Sequence, residues 1–205
     1  MDQLILRYPK LEKVKNEITG ALKTLINTYE NGGKLFVCGN GGSAADCDHI
    51  VGELMKSFKM KRPVTAETAK KLENEGELGK ELVALLEGGL PAISLCEHKA
   101  LSTAYANDRD PYAVFAQQLS VLGRNGDALI ALTTSGKSKN CLYAATVARA
   151  YGITVISITG EGGGKLAEMA DVAIKLPERE TYLVQELTLP VYHYLCAALE
   201  EHFFS

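Results

Sequence analysis

The first part of the chain carries apolar residues at helical spacing. Between Leu4 and Tyr29 they fall mostly three or four positions apart, as one face of an amphipathic helix requires. These residues are Leu4, Ile5, Leu11, Val14, Ile18, Leu22, Leu25 and Ile26. Gly32 and Gly33 follow, and glycine commonly ends a helix. The pattern therefore predicts one long helix over residues 4–29.

Five short apolar runs of strand length follow, bounded by glycine or polar residues. They span residues 34–38, 91–96, 127–133, 153–159 and 171–176. Helices are predicted at residues 44–55, 141–151 and 165–170, and a long closing helix, interrupted by Pro190, at 181–203. Strands that alternate with helices predict an α/β fold with a parallel sheet covered on both faces. No linker is indicated, so residues 1–205 are predicted to form a single domain.

Residues 60–89 break this alternation, because they are rich in charged residues and favour helix. A thin apolar stripe runs through them, formed by Ala69, Leu72, Leu82, Leu85 and Leu86. We interpret the segment as a solvated helical hairpin inserted in a loop. A lid or an oligomer contact beside the functional site is the alternative interpretation.

The composition narrows the functional classes. The 205 residues are 46% hydrophobic and 23% charged, and the net charge is −3, so neither a disordered chain nor a broad basic surface for nucleic acid is expected. No apolar run approaches the roughly 20 residues of a membrane span, and the first residues do not resemble a signal peptide. The five cysteines are widely spaced with no C-x-x-C pair. They indicate buried thiols in a reducing cytoplasm.

Residues 39–43 form a glycine-rich loop between a predicted strand and a predicted helix. Gly39, Asn40, Gly41, Gly42 and Ser43 would expose backbone N–H groups beside the positive end of the helix dipole. Such a loop suits an anion, most often phosphate. The spacing matches neither the dinucleotide fingerprint nor the P-loop. The competing interpretation is a tight turn in which glycine serves backbone geometry alone.

A second polar turn follows the predicted strand at residues 127–133. Thr133, Thr134, Ser135 and Ser138 place four hydroxyl groups around Gly136. The carboxyl ends of parallel strands meet at one edge of a sheet, where α/β folds bind ligands. Hydroxyl groups without an apolar slot favour a phosphate ester of a neutral polyol over a nucleotide.

Two spaced pairs could supply metal ligands. His49 and Glu53 lie four residues apart on a predicted helix, so they share one face. Gln185 and His193 lie eight apart near the other end of the chain. Each pair alone is typical of a surface pair or of a core histidine, but together they form a plausible set for zinc or another divalent ion. Eight helical residues rise about 12 Å, so either the helix bends at Pro190 or the pair is split between subunits.

These motifs, in this order, resemble the sugar isomerase (SIS) domain of bacterial phosphoheptose isomerases. The matching segments are 39–46 (GNGGSAAD) with His49 and Glu53, 106–108 (AND), 115–118 (FAQQ), 122–127 (LGRNGD), 133–138 (TTSGKS), and 185–186 (QE) with His193. The resemblance covers nearly the whole chain except residues 60–89. It implies a three-layer sandwich with a five-stranded parallel sheet flanked by helices, a flavodoxin-like arrangement without a nucleotide.

The resemblance also implies an activity, an assembly and a set of site residues. The family converts sedoheptulose 7-phosphate to D-glycero-D-manno-heptose 7-phosphate as a homotetramer with sites at subunit interfaces. It implies one zinc ion held by His49, Glu53, Gln185 and His193. The expected sugar-phosphate contacts are Asn40, Gly41, Gly42, Ser43, Glu53, Asn107, Asp108, Thr133, Thr134, Ser135, Ser138 and Gln185.

The chemistry of an aldose–ketose isomerisation agrees with these residues. Moving a carbonyl between C2 and C1 requires removal of a carbon-bound proton, an enediol, and return of a proton to the neighbouring carbon. A carboxylate suits the base and an imidazole the acid, so Glu53 and His193 are the expected catalytic pair. A divalent ion would polarise the carbonyl.

Three positions depart from the family pattern. Ser57 stands where members usually carry Arg, Thr188 stands where many carry His, and Pro190 is not typical. These departures bear on the choice of sugar more than on the reaction type.

The competing hypothesis is a non-catalytic SIS protein, either a sugar-phosphate sensor or an adaptor of the type that associates with the replication initiator DnaA. The presence of both Glu53 and His193 favours catalysis.

Overall fold

The computed structural model describes all 205 residues as ten α-helices and five strands. The helices are α1 (Asp2–Arg7), α2 (Lys15–Glu30), α3 (Gly42–Met55), α4 (Ala66–Glu73), α5 (Glu77–Leu85), α6 (Lys99–Asp108), α7 (Val114–Leu122), α8 (Lys139–Ala150), α9 (Gly164–Met169) and α10 (Thr181–Phe204). The strands are β1 (Leu35–Cys38), β2 (Ala92–Ser94), β3 (Ala128–Leu132), β4 (Thr154–Thr159) and β5 (Val172–Lys175). Short 3-10 segments occur at Pro9–Val14 and Pro111–Ala113.

The five strands form one parallel sheet in the order β2-β1-β3-β4-β5. The central strand β3 pairs with β4 over its whole length and with β1 over Ala128 to Ala131. The chain order therefore reverses direction at β1 and β3, and the carboxyl ends of these two strands lie side by side. The predicted five-stranded parallel sheet flanked by helices is confirmed.

Alternate residues of the central strands are buried against opposite helical layers. Val37 and Ile130 join the core formed with α1, α2, α3 and α10, whereas Phe36 and Leu129 join the core formed with α7, α8 and α9. Both faces of the sheet are therefore covered, which explains why the strands read as continuous apolar runs without alternation.

The long first helix predicted from the apolar pattern is wrong. The chain instead forms α1, the 3-10 segment Pro9–Val14 and α2. Pro9 has no N–H to donate and disfavours helical geometry at Tyr8, whose φ and ψ are −131° and 73°. Leu4, Leu11 and Ile18 are nevertheless all buried, because the broken segment keeps one apolar side towards the sheet.

Pro190 does not interrupt the closing helix, which corrects a second expectation. Helix α10 runs without a break over 24 residues, with Pro190 inside it and buried. The carbonyl of Glu186 loses its usual donor, but the packed neighbours hold the helix together.

Helices α6 and α7 lie in a stretch for which the apolar pattern indicated no element. None of the helices is both long and apolar enough to cross a membrane.

Helices α4 and α5 form a hairpin outside the sheet. Pro63 and Glu87 form an antiparallel bridge at its base, and the amide of Gly88 donates to the carbonyl of Arg62 at 2.6 Å. Helix α5 exposes Leu78 and Leu85, at 73% and 74% of their surface. The hairpin thus leaves and rejoins the domain at one place.

Candidate active site

The glycine-rich loop joins β1 to α3 in a conformation that needs glycine. Gly41 has a φ of +57°, which residues with a side chain rarely adopt. A Cβ atom on Gly42 would lie 2.7 Å from Nε2 of Gln185. Glycine at this position therefore lets α10 approach the start of α3 closely.

The second polar loop, between β3 and α8, is tied to the first. Gly136 has a φ of +66°, and a Cβ there would lie 1.9 Å from the carbonyl oxygen of Gly163. Thr133 Oγ1 and Ser138 Oγ share a hydrogen bond of 2.8 Å. The amides of Asn40 and Asn140 donate to each other's oxygens at 3.0 and 2.7 Å. This reciprocal pair holds the two loops in register, and Asn140 was not among the expected site residues.

A cavity of about 330 Å³ opens between the two loops. Its lining residues are Asn40, Gly41, Gly42, Ser43, Leu132, Thr133, Thr134, Ser135, Ser138, Thr181 and Gln185. Helices α3, α8 and α10 all begin at this cavity, and none has a side-chain cap on its amino end. The positive dipole ends of three helices therefore face a space lined by no charged side chain. An anion suits this environment.

Nine of the twelve expected sugar-phosphate contacts line this cavity, and the other three, Glu53, Asn107 and Asp108, do not. Asn107 and Asp108 end helix α6, where both are exposed. The Asn107 amide donates to Asp108 Oδ1 at 2.9 Å. Within one chain these two side chains lie outside the cavity. Thr181 is a lining residue that no sequence motif indicated.

His49, Glu53 and His193 lie together between α3 and α10. His49 Nε2 is 3.1 Å from Glu53 Oε1, as the four-residue spacing leads one to expect. The rings of His49 and His193 stand edge to face with centroids 5.0 Å apart. The expected base, Glu53, and the expected acid, His193, therefore both lie beside His49.

Tyr192 and Asp46 orient His49. Asp46 ends the matched segment 39–46 but had no expected role, and Tyr192 lay in no motif. The Tyr192 hydroxyl donates to Asp46 Oδ1 at 3.1 Å and lies 3.0 Å from His49 Nδ1. With its single proton given to Asp46, the hydroxyl oxygen accepts the proton of Nδ1. In a neutral ring, His49 Nε2 then directs its lone pair towards the Glu53 carboxylate, the arrangement that a bound cation between them would require. Burial raises the pKa of Asp46 and of Tyr192.

Two polar atoms of this cluster are buried without a hydrogen-bond partner. They are Glu53 Oε2 and His193 Nε2, and Lys56 Nζ approaches Glu53 Oε2 to 3.6 Å. Burial lowers the pKa of His193, and the nearby His49 lowers it further. His193 is therefore a neutral imidazole at neutral pH, with a proton on one nitrogen.

The donor atoms of the cluster suit a cation, although no three His, Cys, Asp or Glu side chains are arranged to hold a metal ion. A lone pair on His49 Nε2 facing a carboxylate, beside an unpartnered carboxylate oxygen and an unpartnered imidazole nitrogen, is the chemistry that a divalent ion satisfies. Gln185 lies elsewhere, against Gly42 in the cavity. The structure thus groups three of the four expected ligands and separates the fourth.

Comparison with known proteins identifies the family. Residues 5–84 and 110–199 each match the SIS domain. The chain is 36% identical over 193 residues to the phosphoheptose isomerase of Helicobacter pylori strain P12, covering 94% of this chain and 88% of that protein. This chain belongs to the phosphoheptose isomerase family of SIS-domain enzymes.

Solved structures of the phosphoheptose isomerase family share the fold. The enzyme from Neisseria gonorrhoeae superposes with a TM-score of 0.76 at 28% identity, over 98% of this chain and 94% of that chain. The enzyme from Francisella tularensis has the same TM-score at 32% identity, over 91% and 86% of the two chains. The family consists of phosphosugar isomerases, and this chain is an isomerase.

Two departures from the family pattern have structural partners here. Ser57 bonds to Glu87 through its amide at 2.8 Å and its hydroxyl at 2.6 Å, so it fastens the base of the α4–α5 hairpin. Thr188 is buried and donates to the carbonyl of Val184 at 2.9 Å. Neither side chain lines the cavity.

A buried ion pair supports the carboxyl end of α3, next to Glu53. Arg62 donates to Glu200 Oε1 at 2.7 Å, to the carbonyl of Leu54 at 2.7 Å and to the carbonyl of Glu53 at 3.0 Å. Glu200 also accepts the amides of Phe58 and Lys59. No sequence pattern predicts this network, because Arg62 and Glu200 lie 138 residues apart in the chain. It fixes the backbone that carries the expected base.

Proposed function

We propose that this chain converts sedoheptulose 7-phosphate to D-glycero-D-manno-heptose 7-phosphate. The observation that carries the proposal is the uncharged cavity at three helix amino ends, which shares α3 and α10 with the His49–Glu53–His193 cluster. Gln185 at the cavity and His193 in the cluster are separated by about 12 Å along α10. An open-chain seven-carbon sugar phosphate is long enough to place its phosphate in the cavity and its carbonyl end near the cluster.

The reaction moves two protons along the sugar. In the proposed sequence Glu53 removes the proton from C1 of the ketose while the N–H of neutral His193 donates to the C2 carbonyl oxygen, which gives an enediol. Glu53 then returns its proton to C2 as His193 recovers a proton from the hydroxyl on C1 and the aldose carbonyl forms. A neutral imidazole, kept so by burial, is a suitable donor to a developing oxyanion.

We also propose that His49, Glu53 and His193 hold one zinc ion and that a second copy of the chain supplies the fourth ligand, Gln185, because Gln185 of the same chain lies against Gly42 in the cavity. Support comes from the unpartnered atoms of Glu53 and His193 and from the lone pair that Tyr192 leaves on His49 Nε2. When bound, zinc would polarise the carbonyl and stabilise negative charge on its oxygen. Tyr192 and Asp46 would keep the His49 ring oriented for this role.

The proposed assembly is a homotetramer in the cytoplasm, with sites between subunits. Asn107 and Asp108 lie outside the cavity of their own chain. If a second copy of the chain placed its α6 against this cavity, its Asn107 and Asp108 could contact the bound substrate. Direct binding of nucleic acid is not part of the proposal, given the net charge of −3.

The test is an isomerase assay on the purified chain with sedoheptulose 7-phosphate, run with added zinc and again after chelation. Zinc-dependent formation of the aldose 7-phosphate is the expected result. Turnover that survives complete removal of metal would overturn the zinc assignment alone.

The same samples separate two other functions. Turnover of a different phosphorylated ketose, and not of sedoheptulose 7-phosphate, would change the proposed substrate and keep the proposed reaction. Tight binding of sugar phosphates with no turnover of any ketose would identify a sensor or adaptor instead.

A further inference from the structure

Asn140 lies in the first turn of α8, just outside the cavity between the two loops, and its side chain is bonded to Asn40 on the opposite wall. The Asn40 amide nitrogen donates to Asn140 Oδ1 at 3.0 Å, and the Asn140 amide nitrogen donates to Asn40 Oδ1 at 2.7 Å. Asn40 lines the cavity and Asn140 does not. Because the two residues lie 100 positions apart in the chain, no local sequence pattern indicates the pair.

This pair of hydrogen bonds fixes the orientation of the Asn40 side chain. The two bonds run in opposite directions between two planar amides, so neither side chain can turn without breaking both. Asn140 Oδ1 also accepts the amide of Cys141 at 3.0 Å, which anchors the Asn140 side chain to its own helix. Asn40 Nδ2 lies 3.9 Å from the Cys141 sulfur as well. All the side-chain bonds of Asn40 therefore go to the start of α8.

The two walls of the cavity are otherwise tied to their own surroundings. The amide of Gly160 donates to the carbonyl of Thr134 at 3.0 Å, which ties the second polar loop to the end of β4. The carbonyl of Asn40 accepts the amide of Ser43 at 3.1 Å, within the glycine-rich loop. Across the cavity, the side-chain hydrogen bonds between the walls are those of Asn40 with residues 140 and 141. The spacing of the walls beyond β1 and β3 therefore depends on Asn140.

We propose that Asn140 is a positioning residue for anion binding in this cavity: through Asn40 it holds the two walls at the spacing at which both contact one phosphate group. The inference rests on the proposed function, which places the phosphate of the sugar there. Loops that are fixed before binding lose less conformational freedom when the ligand arrives. Because Asn140 itself touches no substrate, its effect falls on binding and not on the proton transfers at Glu53 and His193.

Asn140→Ala removes both bonds and adds no charge. We expect the KM for the sugar phosphate and the Kd for inorganic phosphate, measured by calorimetry, each to rise about tenfold, as the loss of one or two hydrogen bonds should cause. The kcat should stay within about twofold of the parent value, because uniform binding alone is lost. Asn140→Ser keeps a hydroxyl near the Cys141 amide but is too short to reach Asn40. It should give the same result, which separates the bond to Asn40 from support of α8.

A double-mutant cycle tests whether Asn140 acts through Asn40. If it does, Asn40→Ala leaves nothing for the second substitution to remove, and the double variant Asn40→Ala/Asn140→Ala has the phosphate Kd of Asn40→Ala. Asn31→Ala is the matched control, because Asn31 donates to Asn27 Oδ1 at 3.2 Å at the exposed end of α2. It should leave KM, kcat and Kd at the parent values.

Three outcomes overturn the positioning role. They are parental phosphate affinity in both Asn140→Ala and Asn140→Ser, additive effects in the cycle, and a loss confined to kcat. Inorganic phosphate separates these failures from a failure of the proposed function. If the parent binds phosphate but turns over no sedoheptulose 7-phosphate, calorimetry still decides the role of Asn140. A parent protein that binds no phosphate overturns both the phosphate cavity and the role of Asn140.

Discussion

Glu53 presents its two carboxylate oxygens to different surroundings. Oε1 faces His49 Nε2 at 3.1 Å, and Oε2 is buried without a hydrogen-bond partner. A carboxylate held in this way is costly unless a proton, a cation or a substrate satisfies it. The cost marks Glu53 as the residue on which the proposed chemistry depends most.

Replacement of Glu53 by Gln should remove turnover and keep the fold. The amide has nearly the same shape but cannot accept the C1 proton, so we expect kcat to fall by about 10²–10⁴-fold or more. Thermal unfolding followed by circular dichroism checks that the fold persists. Glu30→Gln is the matched control, because Glu30 is exposed and bonds only to His202. Near-normal turnover in Glu53→Gln would rule out Glu53 as the base.

Some of the site residues could be predicted from the sequence, and others became apparent only in the structure. The helical spacing of His49 and Glu53 and the hydroxyls around Gly136 were sufficient to predict the His49–Glu53 contact and the convergence of the two loops. Tyr192 and Asp46 carry no such signal, because their roles arise only where α10 crosses α3. The place of Gln185 was open for the same reason, since it depends on how α10 approaches Gly42.

At the scale of elements, the ion pair of Arg62 and Glu200 joins three segments of chain. Both side chains are almost fully buried, and the Arg62 guanidinium also lies 4.8 Å from the ring of Phe204. Every Arg62 nitrogen of the side chain has an acceptor. Removal of one partner would leave the other charge buried and unpaired.

Arg62→Met should therefore destabilise the protein by about 3–5 kcal/mol, the usual cost of breaking a buried pair. Denaturant unfolding measures the loss. Arg179→Met provides the control, since its pair with Glu161 is exposed and solvent screens it, so its loss should change the stability far less. Equal effects in the two variants would contradict the role assigned to the buried pair.

Acid should weaken the same network. Burial opposes ionisation of Glu200, but hydrogen bonds from Phe58, Lys59 and Arg62 outweigh it and hold the pKa below its usual value. The unfolded chain takes up this proton first, so the stabilisation is complete above a pH of about 4.3 and declines as the pH falls through the lower folded-state pKa. The stability difference between the parent and Glu200→Gln should shrink over that range. A difference that stays constant down to pH 3 would contradict this.

Elements were predictable where local pattern and tertiary contact agree. All five strands fall inside the predicted apolar runs, because strands covered on both faces must be apolar throughout. The prediction of one long first helix was wrong at Pro9, because proline lacks the N–H that a continuous helix needs even where the apolar stripe continues. Pro190 shows the reverse, since packing on both sides of α10 maintains the helix that local preference would break.

At the scale of the whole molecule, the proposed site is incomplete in one chain. Asn107 and Asp108 are exposed at the end of α6, away from the cavity. We expect light scattering after size exclusion to give four times the 22.1 kDa chain mass. Dilution that dissociates the assembly should reduce turnover per chain. A monomer with undiminished turnover would show that one chain suffices.

The α4–α5 hairpin leaves the domain at Arg62 and returns at Gly88, and the Gly88 amide donates a hydrogen bond to the Arg62 carbonyl. Because its two ends are hydrogen-bonded to each other, the length of this segment does not alter the position at which β2 begins. Doubling the length of such a loop costs only about 0.6 kcal/mol in closure entropy. A fluorescent domain or an affinity tag could therefore be carried between Glu73 and Glu77 without disturbing the sheet. The protein offers a natural attachment point on its own surface.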